Sequence, residues 1–284
     1  MKIAMECVPC FLKQTVSSLK MITLEEHDQE IVLREVLELA SKIDFELSPP
    51  EFGQMIHKLI REKTNSTDPY KKLKVLANQR AKELYKVIQP RVMKATNPFY
   101  MAIKFAIAAN IMDFGVFSDW NEANVIESFN KAKSKEICGK ICDRLYKKIS
   151  LAKNVLVLGD NAGEVVFDKL LIETFPGNAK IYYAVKGSPV INDVTIDDAY
   201  DAGIGEVAEI ISNGTDIPGT VFEKCSSQFR NIFNSVDLIV SKGQGNFETL
   251  HDRNKKIYFM LQIKCRAIAD KYGYNVGDWK LVNH

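Results

Sequence analysis

The clearest structural signal in the chain is "LVLGDNAGEVVFDKLL" at residues 156–171. An apolar run ends at Gly159, two oxygen-bearing residues follow, and an amphipathic helix pattern begins at Glu164. This order is typical of a strand that turns into a helix in a parallel α/β sheet. The pattern places Asp160 and Asn161 in the turn, where sheets of this class bind their ligands.

The pattern of apolar residues changes near residue 150, just before this stretch. Short apolar or β-branched runs follow it: "NVLVLG", "AKIYYAV", "VAEIIS", "VDLIVS" and "KIYFMLQI". Helical periodicity precedes it, as in "EIVLREVLELASKI", "YKKLKVLANQRAKELYKVI" and "NPFYMAIKFAIAANIMDFG". We therefore predict an α/β fold: a helical N-terminal domain at residues 1–150, and a Rossmann-like, mostly parallel sheet flanked by helices at residues 151–284.

Composition limits the function classes. The chain has 284 residues, 46% of them hydrophobic, and its 38 Lys and Arg nearly balance 36 Asp and Glu. A net charge of +2 argues against a nucleic-acid surface, which needs concentrated basic charge. The longest apolar run, at residues 101–112, is shorter than the roughly 20 residues of a membrane span. We expect a cytoplasmic protein whose partner is a small molecule.

Polar residues follow each predicted strand. Asp160, Asn161 and Asp193 supply two carboxylates and an amide oxygen, the hard ligands that suit Mg²⁺ or Mn²⁺. Each of them alone would equally suit a helix N-cap. Because the carboxyl ends of parallel strands meet at one edge, we predict that the set binds a metal there.

Cationic groups near this edge would bind a phosphate. "KGQGN" at residues 242–246 favours either an anion nest at Gly243 and Gly245 or a tight turn. Lys242 begins this loop, and Lys264 lies in a mostly apolar run where an ammonium would need an anionic partner. The predicted substrate contacts are Glu164, Lys186, Asn192, Lys242, Gly243, Gly245, Asn246, Asn110 and Asp113, with Lys264 joining the three metal ligands as catalytic.

Two other functional classes stay open at this point. The strand and glycine-rich turn also suit an S-adenosylmethionine methyltransferase, although Asp160 stands where glycine is expected and the second strand ends in Lys186. A non-catalytic metal or metabolite binder is the other class. In it, Cys7, Cys10, Cys138 and Cys142 could form a zinc or iron–sulfur site, or could simply be small packed residues.

The four histidines add little. His27, His57 and His284 are predicted to be surface or packing residues. His251 follows the glycine loop by a few positions and could approach the site, but a lone histidine is more often structural. Asn110 and Asp113 lie about one helical turn apart and could position a water or serve as helix caps.

Several motifs together resemble the DUF89 family of damage-control phosphatases, especially its small archaeal and bacterial branch. They are "GDNAGE", "KGSPVINDVTIDDA", "SKGQGNFE", the "KC" after an apolar strand, "MECVPCFLKQ", "TDPYKKLK" and "ANIMDFG". The resemblance implies a phosphatase that acts on phosphorylated metabolites, including sugar phosphates, with Mn²⁺, Co²⁺, Ni²⁺ or Mg²⁺.

The resemblance also implies residue roles. It places the metal on Asp160, Asn161 and Asp193, a phosphate-binding lysine at Lys264, and a substrate loop at Gly243 to Asn246. Where the family usually has glycine before the asparagine of the helix motif, this chain has Ala109, which affects local packing. The resemblance covers nearly the whole chain. It leaves the physiological substrate, the preferred metal and the attacking nucleophile, water or aspartate, undetermined.

Overall fold

The N-terminal half of the chain is helical. The computed structural model describes residues 1–22, 25–109, 135–253 and 257–283. The helices before the first strand are α1 (Cys7–Met21), α2 (Glu26–Ser41), α3 (Pro49–Thr64), α4 (Lys71–Met93), α5 (Pro98–Ala108) and α6 (Gly139–Leu151). Within the described ranges, the periodicity before residue 150 thus predicted the correct type of structure.

Local signals explain where these helices begin. At α3, Ser48 and Glu51 form a capping box, and Pro49 takes the first helical position, where its missing N–H is not needed. At α5, the Asn97 side chain accepts a hydrogen bond from the Tyr100 N–H at 3.0 Å. These caps satisfy backbone donors that a helix leaves unpaired.

The second half of the chain forms a six-stranded sheet with the order β3-β2-β1-β4-β5-β6. Its strands are β1 (Asn154–Leu158), β2 (Lys180–Val185), β3 (Glu209–Ser212), β4 (Leu238–Lys242), β5 (Ile257–Gln262) and β6 (Trp279–Asn283). The first five are parallel, and β6 pairs antiparallel with β5. The mostly parallel α/β sheet is confirmed, and the edge strand β6 was not predicted.

Helices connect the strands and cover both faces of the sheet. They are α7 (Glu164–Glu173), α8 (Ile196–Asp201), α9 (Ser227–Ser235), α10 (Gln244–Leu250) and α11 (Arg266–Tyr272). The strand order reverses between β1 and β4, and a doubly wound sheet binds its ligands beyond the carboxyl ends of the strands at such a switch point. The loops after β1 and β4 therefore occupy the position expected of a site.

One hydrophobic core joins the two halves. Buried residues of α4 and α5, such as Leu84 and Phe105, belong to the same cluster as Val157 of β1 and Leu170 of α7. A second cluster covers the other face of the sheet. Side chains from both sides of residue 150 share this core. The division of the chain into two domains at that residue therefore stays a prediction.

No helix in the described ranges combines the length and the apolar character that a bilayer crossing requires.

Candidate active site

Two glycines shape the turn between β1 and α7. A side-chain carbon at Gly159 would lie 2.6 Å from the Tyr183 hydroxyl, so this position has no room for one. Gly163 has a φ of 80°, in the left-handed region that glycine adopts without strain. Its N–H donates to Asn78 Oδ1 at 2.6 Å. Residues 160–162 are therefore held in a defined turn at the carboxyl end of β1.

The loop after β2 pairs with this turn. Asn161 and Asp193 form an antiparallel bridge, and the Val194 N–H donates to Asp160 O at 2.9 Å. Asp160 and Asn161 are half-buried, whereas Asp193 is buried. The two loops thereby bring together the three residues that the sequence singled out as metal ligands.

Backbone strain precedes Asp193. Ile191 has a φ of 45°, and a left-handed conformation is costly for a β-branched residue. Flanking hydrogen bonds hold it in place, from the Asp193 N–H to Val190 O at 3.0 Å and from the Ala162 N–H to Asn192 O at 2.8 Å. Strain of this kind collects at functional sites, and no residue type in the sequence signalled it here.

Burial dominates the electrostatics of Asp193. It raises the pKa of this carboxyl to about 6, while the nearby Lys186 ammonium opposes the shift. Lys186 Nζ lies 3.4 Å from Asp193 Oδ2, which is long for a charge-assisted hydrogen bond. Within the described part of the chain, Oδ2 has no hydrogen-bond partner. A bound cation would satisfy this buried oxygen.

The glycine loop after β4 lies against the Asp-Asn turn. Gly243 has a φ of 78°, and a side-chain carbon there would overlap the Asp160 carboxylate. Its N–H donates to Met260 O at 3.0 Å, so this donor serves the sheet rather than an anion. Gly245 packs closely against the backbone of Gly219. The Gly243 N–H is thus not available to the anion nest that was one of the two interpretations of this loop.

Lys242 differs most from its predicted role. Its side chain is completely buried, and its ammonium donates to Glu164 Oε1 and Asp168 Oδ1 at 2.5 Å each and to Ala106 O at 3.0 Å. An ammonium has three N–H donors, so all of them are used. Burial alone would lower the pKa of Lys242, but the two carboxylates outweigh it and raise the pKa. The predicted contact with substrate phosphate is therefore corrected to a structural role beneath the turn.

Glu164 was also predicted to contact substrate, and it too is buried. Its Oε1 binds Lys242, and its Oε2 accepts from Asn161 Nδ2 at 3.3 Å. Asp168 lies one turn further along α7, where it accepts from the Tyr183 hydroxyl at 2.7 Å. Burial raises the pKa of Asp168 to about 6 against the opposing charge of Lys242. The two acids and the lysine form the floor of the site.

Three further predicted substrate contacts are buried. The Lys186 ammonium donates to Gly219 O. Asn246 donates to two backbone carbonyls at 2.8 and 3.2 Å and accepts from Thr220 Oγ1 at 2.7 Å. Asn192 is 8% exposed, and its carbonyl belongs to the loop pairing. The Lys186 and Asn246 side chains thus hold the loops around the site, and Asn192 takes part through its backbone.

Lys264 lies beyond β5 rather than inside it. The strand ends at Gln262, and Lys264 is an exposed residue before α11. Its backbone N–H donates to Gln244 Oε1 at 2.9 Å. Lys264 is therefore not a buried ammonium inside an apolar strand, as the sequence had suggested. The lysine lies at the same edge of the sheet as Gly243, and its predicted phosphate contact stays a prediction.

Two predicted substrate contacts, Asn110 and Asp113, lie outside the described residues, as does His284. His27 is exposed, as a surface residue would be. His57 is buried beside the Tyr70 hydroxyl, with 2.9 Å between that oxygen and Nδ1, and burial lowers its pKa to about 3. His251 packs at the end of α10 against aromatic rings. The described histidines are therefore surface or packing residues.

The cysteines do not form the four-thiolate site that the sequence left open. Cys10 and Cys138 are exposed, Cys142 is buried, and Cys7 is half-buried. In the described ranges, no three His, Cys, Asp or Glu side chains converge closely enough to hold a metal ion. Burial first, and then the nearby Glu248 and Cys265, raise the pKa of the Cys7 thiol.

The predicted metal ligands differ in kind from such a cluster, since they are two carboxylates and one amide. Oxygen ligands of this type fit Mg²⁺ or Mn²⁺. Two observations fit a cation at this place: the buried Oδ2 of Asp193 has no hydrogen-bond partner among the described residues, and Gly243 leaves room for the Asp160 carboxylate.

Sequence reasoning missed the residues that hold these loops from the helical half. Asn78 of α4 accepts the Gly163 N–H and donates to Asp198 O at 3.1 Å. Lys74, one turn earlier, is buried between Asp68 and Asp198 at 2.8 and 2.9 Å. The sequence did contain an indication of this role. Lys74 and Asn78 lie one turn apart in "KVLAN", and neither residue type suits an apolar helix face unless it has polar partners.

The chain is similar to known proteins over nearly its full length. Residues 3–279 match the damage-control phosphatase ARMT1-like domain. A damage-control phosphatase of Pyrococcus horikoshii is 33% identical, covering 95% of this chain and 93% of that protein. A damage-control phosphatase of Archaeoglobus fulgidus is 32% identical, covering 98% of both, and an uncharacterized protein of Methanocaldococcus jannaschii is 34% identical, covering 98% and 94%.

The fold gives the same result. The crystal structure of a DUF89 family protein from Pyrococcus horikoshii superposes with a TM-score of 0.91 at 30% identity, covering 100% of this chain and 99% of that one. The matches extend over the helical half as well as the sheet. The chain therefore belongs to the ARMT1-like, or DUF89, family of damage-control phosphatases.

Proposed function

We propose that this protein is a divalent-metal-dependent phosphatase that hydrolyses phosphomonoesters of small metabolites, such as sugar phosphates or damaged phosphorylated metabolites. The backbone bridge between Asn161 and Asp193 carries the proposal, because it pairs the loop after β2 with the turn after β1 that contains Asp160. Two relatives are named damage-control phosphatases, which supports the reaction class.

Asp160, Asn161 and Asp193 would hold the ion, with Mn²⁺, Co²⁺, Ni²⁺ or Mg²⁺ as candidates. Three protein ligands leave coordination positions for water and substrate. When bound, such an ion supplies positive charge to the phosphoryl group and lowers the pKa of a bound water. Two ionised aspartates would balance its charge, so a phosphate group still needs a cation from the protein.

Lys264 is the lysine best placed to meet that need. It is exposed at the carboxyl end of the sheet, and its backbone is fixed to Gln244 at the start of α10. Lys242 and Lys186 are buried and donate to oxygens of the protein itself, so they stabilise the site instead of binding the phosphate. Phosphoryl transfer depends mainly on the positions and charges of the groups around the phosphate. In this proposal the buried lysines stabilise the site, and Lys264 supplies the charge that meets the phosphate.

A phosphatase assay on metal-stripped protein tests the proposal. The purified protein would be treated with EDTA and assayed with a panel of sugar phosphates, with and without each divalent ion. We expect hydrolysis to vanish with EDTA and to return with Mn²⁺, Co²⁺ or Mg²⁺, and the matched Asp160→Asn variant to stay inactive under every condition. Full activity of the metal-free protein would contradict the metal site. Tight binding of S-adenosylmethionine without hydrolysis would instead favour a methyltransferase.

A further inference from the structure

The Asn161 amide lies between two carboxylates. Its Nδ2 donates to Asp160 Oδ2 at 2.9 Å and contacts Glu164 Oε2 at 3.3 Å. Ionised carboxylates only accept hydrogen bonds, so the amide nitrogen must occupy this side of the group. A flipped amide would direct its carbonyl oxygen at two other oxygens. The two carboxylates therefore decide which way Asn161 turns its own oxygen.

Glu164 is fixed from its other side. Its Oε1 receives Lys242 at 2.5 Å, and Lys242 is in turn held by Asp168 and by Ala106 O. Glu164 is 3% exposed, and a buried carboxylate without a cation would be strongly disfavoured. Lys242 thus fixes the Glu164 carboxylate where it accepts the Asn161 amide.

The charges of the floor and the turn add up to a cation site. The turn and the second loop contribute Asp160 and Asp193, and the floor contributes Glu164 and Asp168. Their four negative charges face two ammonium groups, those of Lys242 and Lys186. The balance of minus two equals the charge that a divalent ion would neutralise. No other cation needs to enter this group of side chains.

We propose that Glu164 is a positioning residue: locked by Lys242, it orients the Asn161 amide so that the carbonyl oxygen is available to the metal. This inference rests on the proposed metal site and goes beyond it, because it gives a role to a residue outside the three proposed metal ligands. It differs from the sequence-based prediction, which assigned Glu164 to substrate binding. Partners that orient metal ligands typically change metal affinity 10- to 100-fold when they are mutated.

Three variants test this proposal by titration of Mn²⁺ into EDTA-treated protein. Glu164→Gln places an amide against Asn161, and Glu164→Asp keeps the charge but withdraws the oxygen by one methylene. Asp168→Asn is the matched control, because Asp168 shares Lys242 and accepts from the Tyr183 hydroxyl rather than from Asn161. We expect both Glu164 variants to bind Mn²⁺ about 10- to 100-fold more weakly. The control removes the same unit of charge without changing a contact to the amide, so it should lose less Mn²⁺ affinity than either Glu164 variant.

Melting curves of the metal-free proteins accompany the titration, so that a fold defect is separated from a change of affinity. If Glu164→Gln does not fold, Glu164→Asp decides the question. Equal losses of affinity in Asp168→Asn and the Glu164 variants would overturn the positioning role in favour of a general charge effect. Wild-type affinity in both Glu164 variants would overturn it as well. If the wild-type protein binds no divalent ion, the proposed function fails and this inference falls with it.

Discussion

Exchanging each of two lysines for methionine would separate stability from catalysis. Lys242→Met removes the ammonium that binds Glu164 and Asp168 at 2.5 Å each and keeps a side chain of similar length. The change leaves two carboxylates together in a fully buried place. Lys264→Met removes an exposed ammonium at the edge of the sheet. We expect the first variant to lose stability and the second to lose activity.

The expected size of each effect follows from the contacts. Removing one partner of a buried ion pair costs about 3–5 kcal/mol, against a total stability of roughly 5–15 kcal/mol for a typical protein. Lys242→Met should therefore lower the melting temperature by about 6 to 20 °C. Lys264→Met should change the unfolding free energy by less than about 0.5 kcal/mol. If Lys264 binds phosphate, the lost bond is worth about 1.5–3 kcal/mol, or roughly 10- to 200-fold in kcat/KM.

Urea unfolding at neutral pH and phosphatase kinetics would be measured on both variants. Adding Asp168→Asn to Lys242→Met removes one of the stranded carboxylates and should recover part of the lost stability. A Lys242→Met protein that unfolds at the wild-type urea concentration would refute the structural role of this lysine. If kcat/KM of Lys264→Met stays within about twofold of wild type, the loss is smaller than one charge-assisted hydrogen bond would cause. That result would refute the contact between Lys264 and the phosphate.

Two further predictions concern single carboxyl groups. Asp160→Asn should reduce hydrolysis to background while the melting curve stays cooperative, because the half-buried carboxylate lies at the edge of the core; an active variant with an unchanged metal requirement would contradict this. Burial raises the pKa of Glu248 to about 7, so between the unfolded value of about 4.5 and 7 the folded carboxyl keeps a proton that the unfolded chain releases. As pH rises through this window, the unfolding free energy of wild type should therefore fall relative to that of Glu248→Gln, by about 3 kcal/mol in all. If urea unfolding gives parallel pH profiles for the two proteins, the pKa of Glu248 is not raised.

The sequence predicted the sheet because its strands are short, apolar and separated by clear turns. Five of these runs became parallel strands, and "LVLGDNAGE" predicted the turn that carries Asp160 and Asn161. The edge strand β6 escaped notice because Lys280 interrupts its apolar residues in "WKLVN". An interrupted run gives a weaker strand pattern than a continuous apolar one.

The sequence did not predict whether the lysine side chains point into the core or towards solvent. Position alone places Lys242 at a strand end, but the neighbours that turn it inward come from α7, and Ala106 O from α5. A signal existed in "GEVVFDKLL": Glu164 and Asp168 lie one turn apart on a helix whose other residues are mostly apolar. Two acids on a buried face require a cation, and a search for one would have pointed to a buried lysine.

The bond between Asn78 and Gly163 has a consequence for the order in which the molecule assembles. These residues stand 85 positions apart in the chain, yet their bond shapes the turn that carries Asp160. Contacts between distant parts of a chain form late, because a long loop must close before they contribute any energy. The helices and individual strands can form from local sequence, but the turn acquires its final geometry only when α4 docks. Competence to bind a ligand should therefore appear in the last stage of folding, after most of the secondary structure is in place.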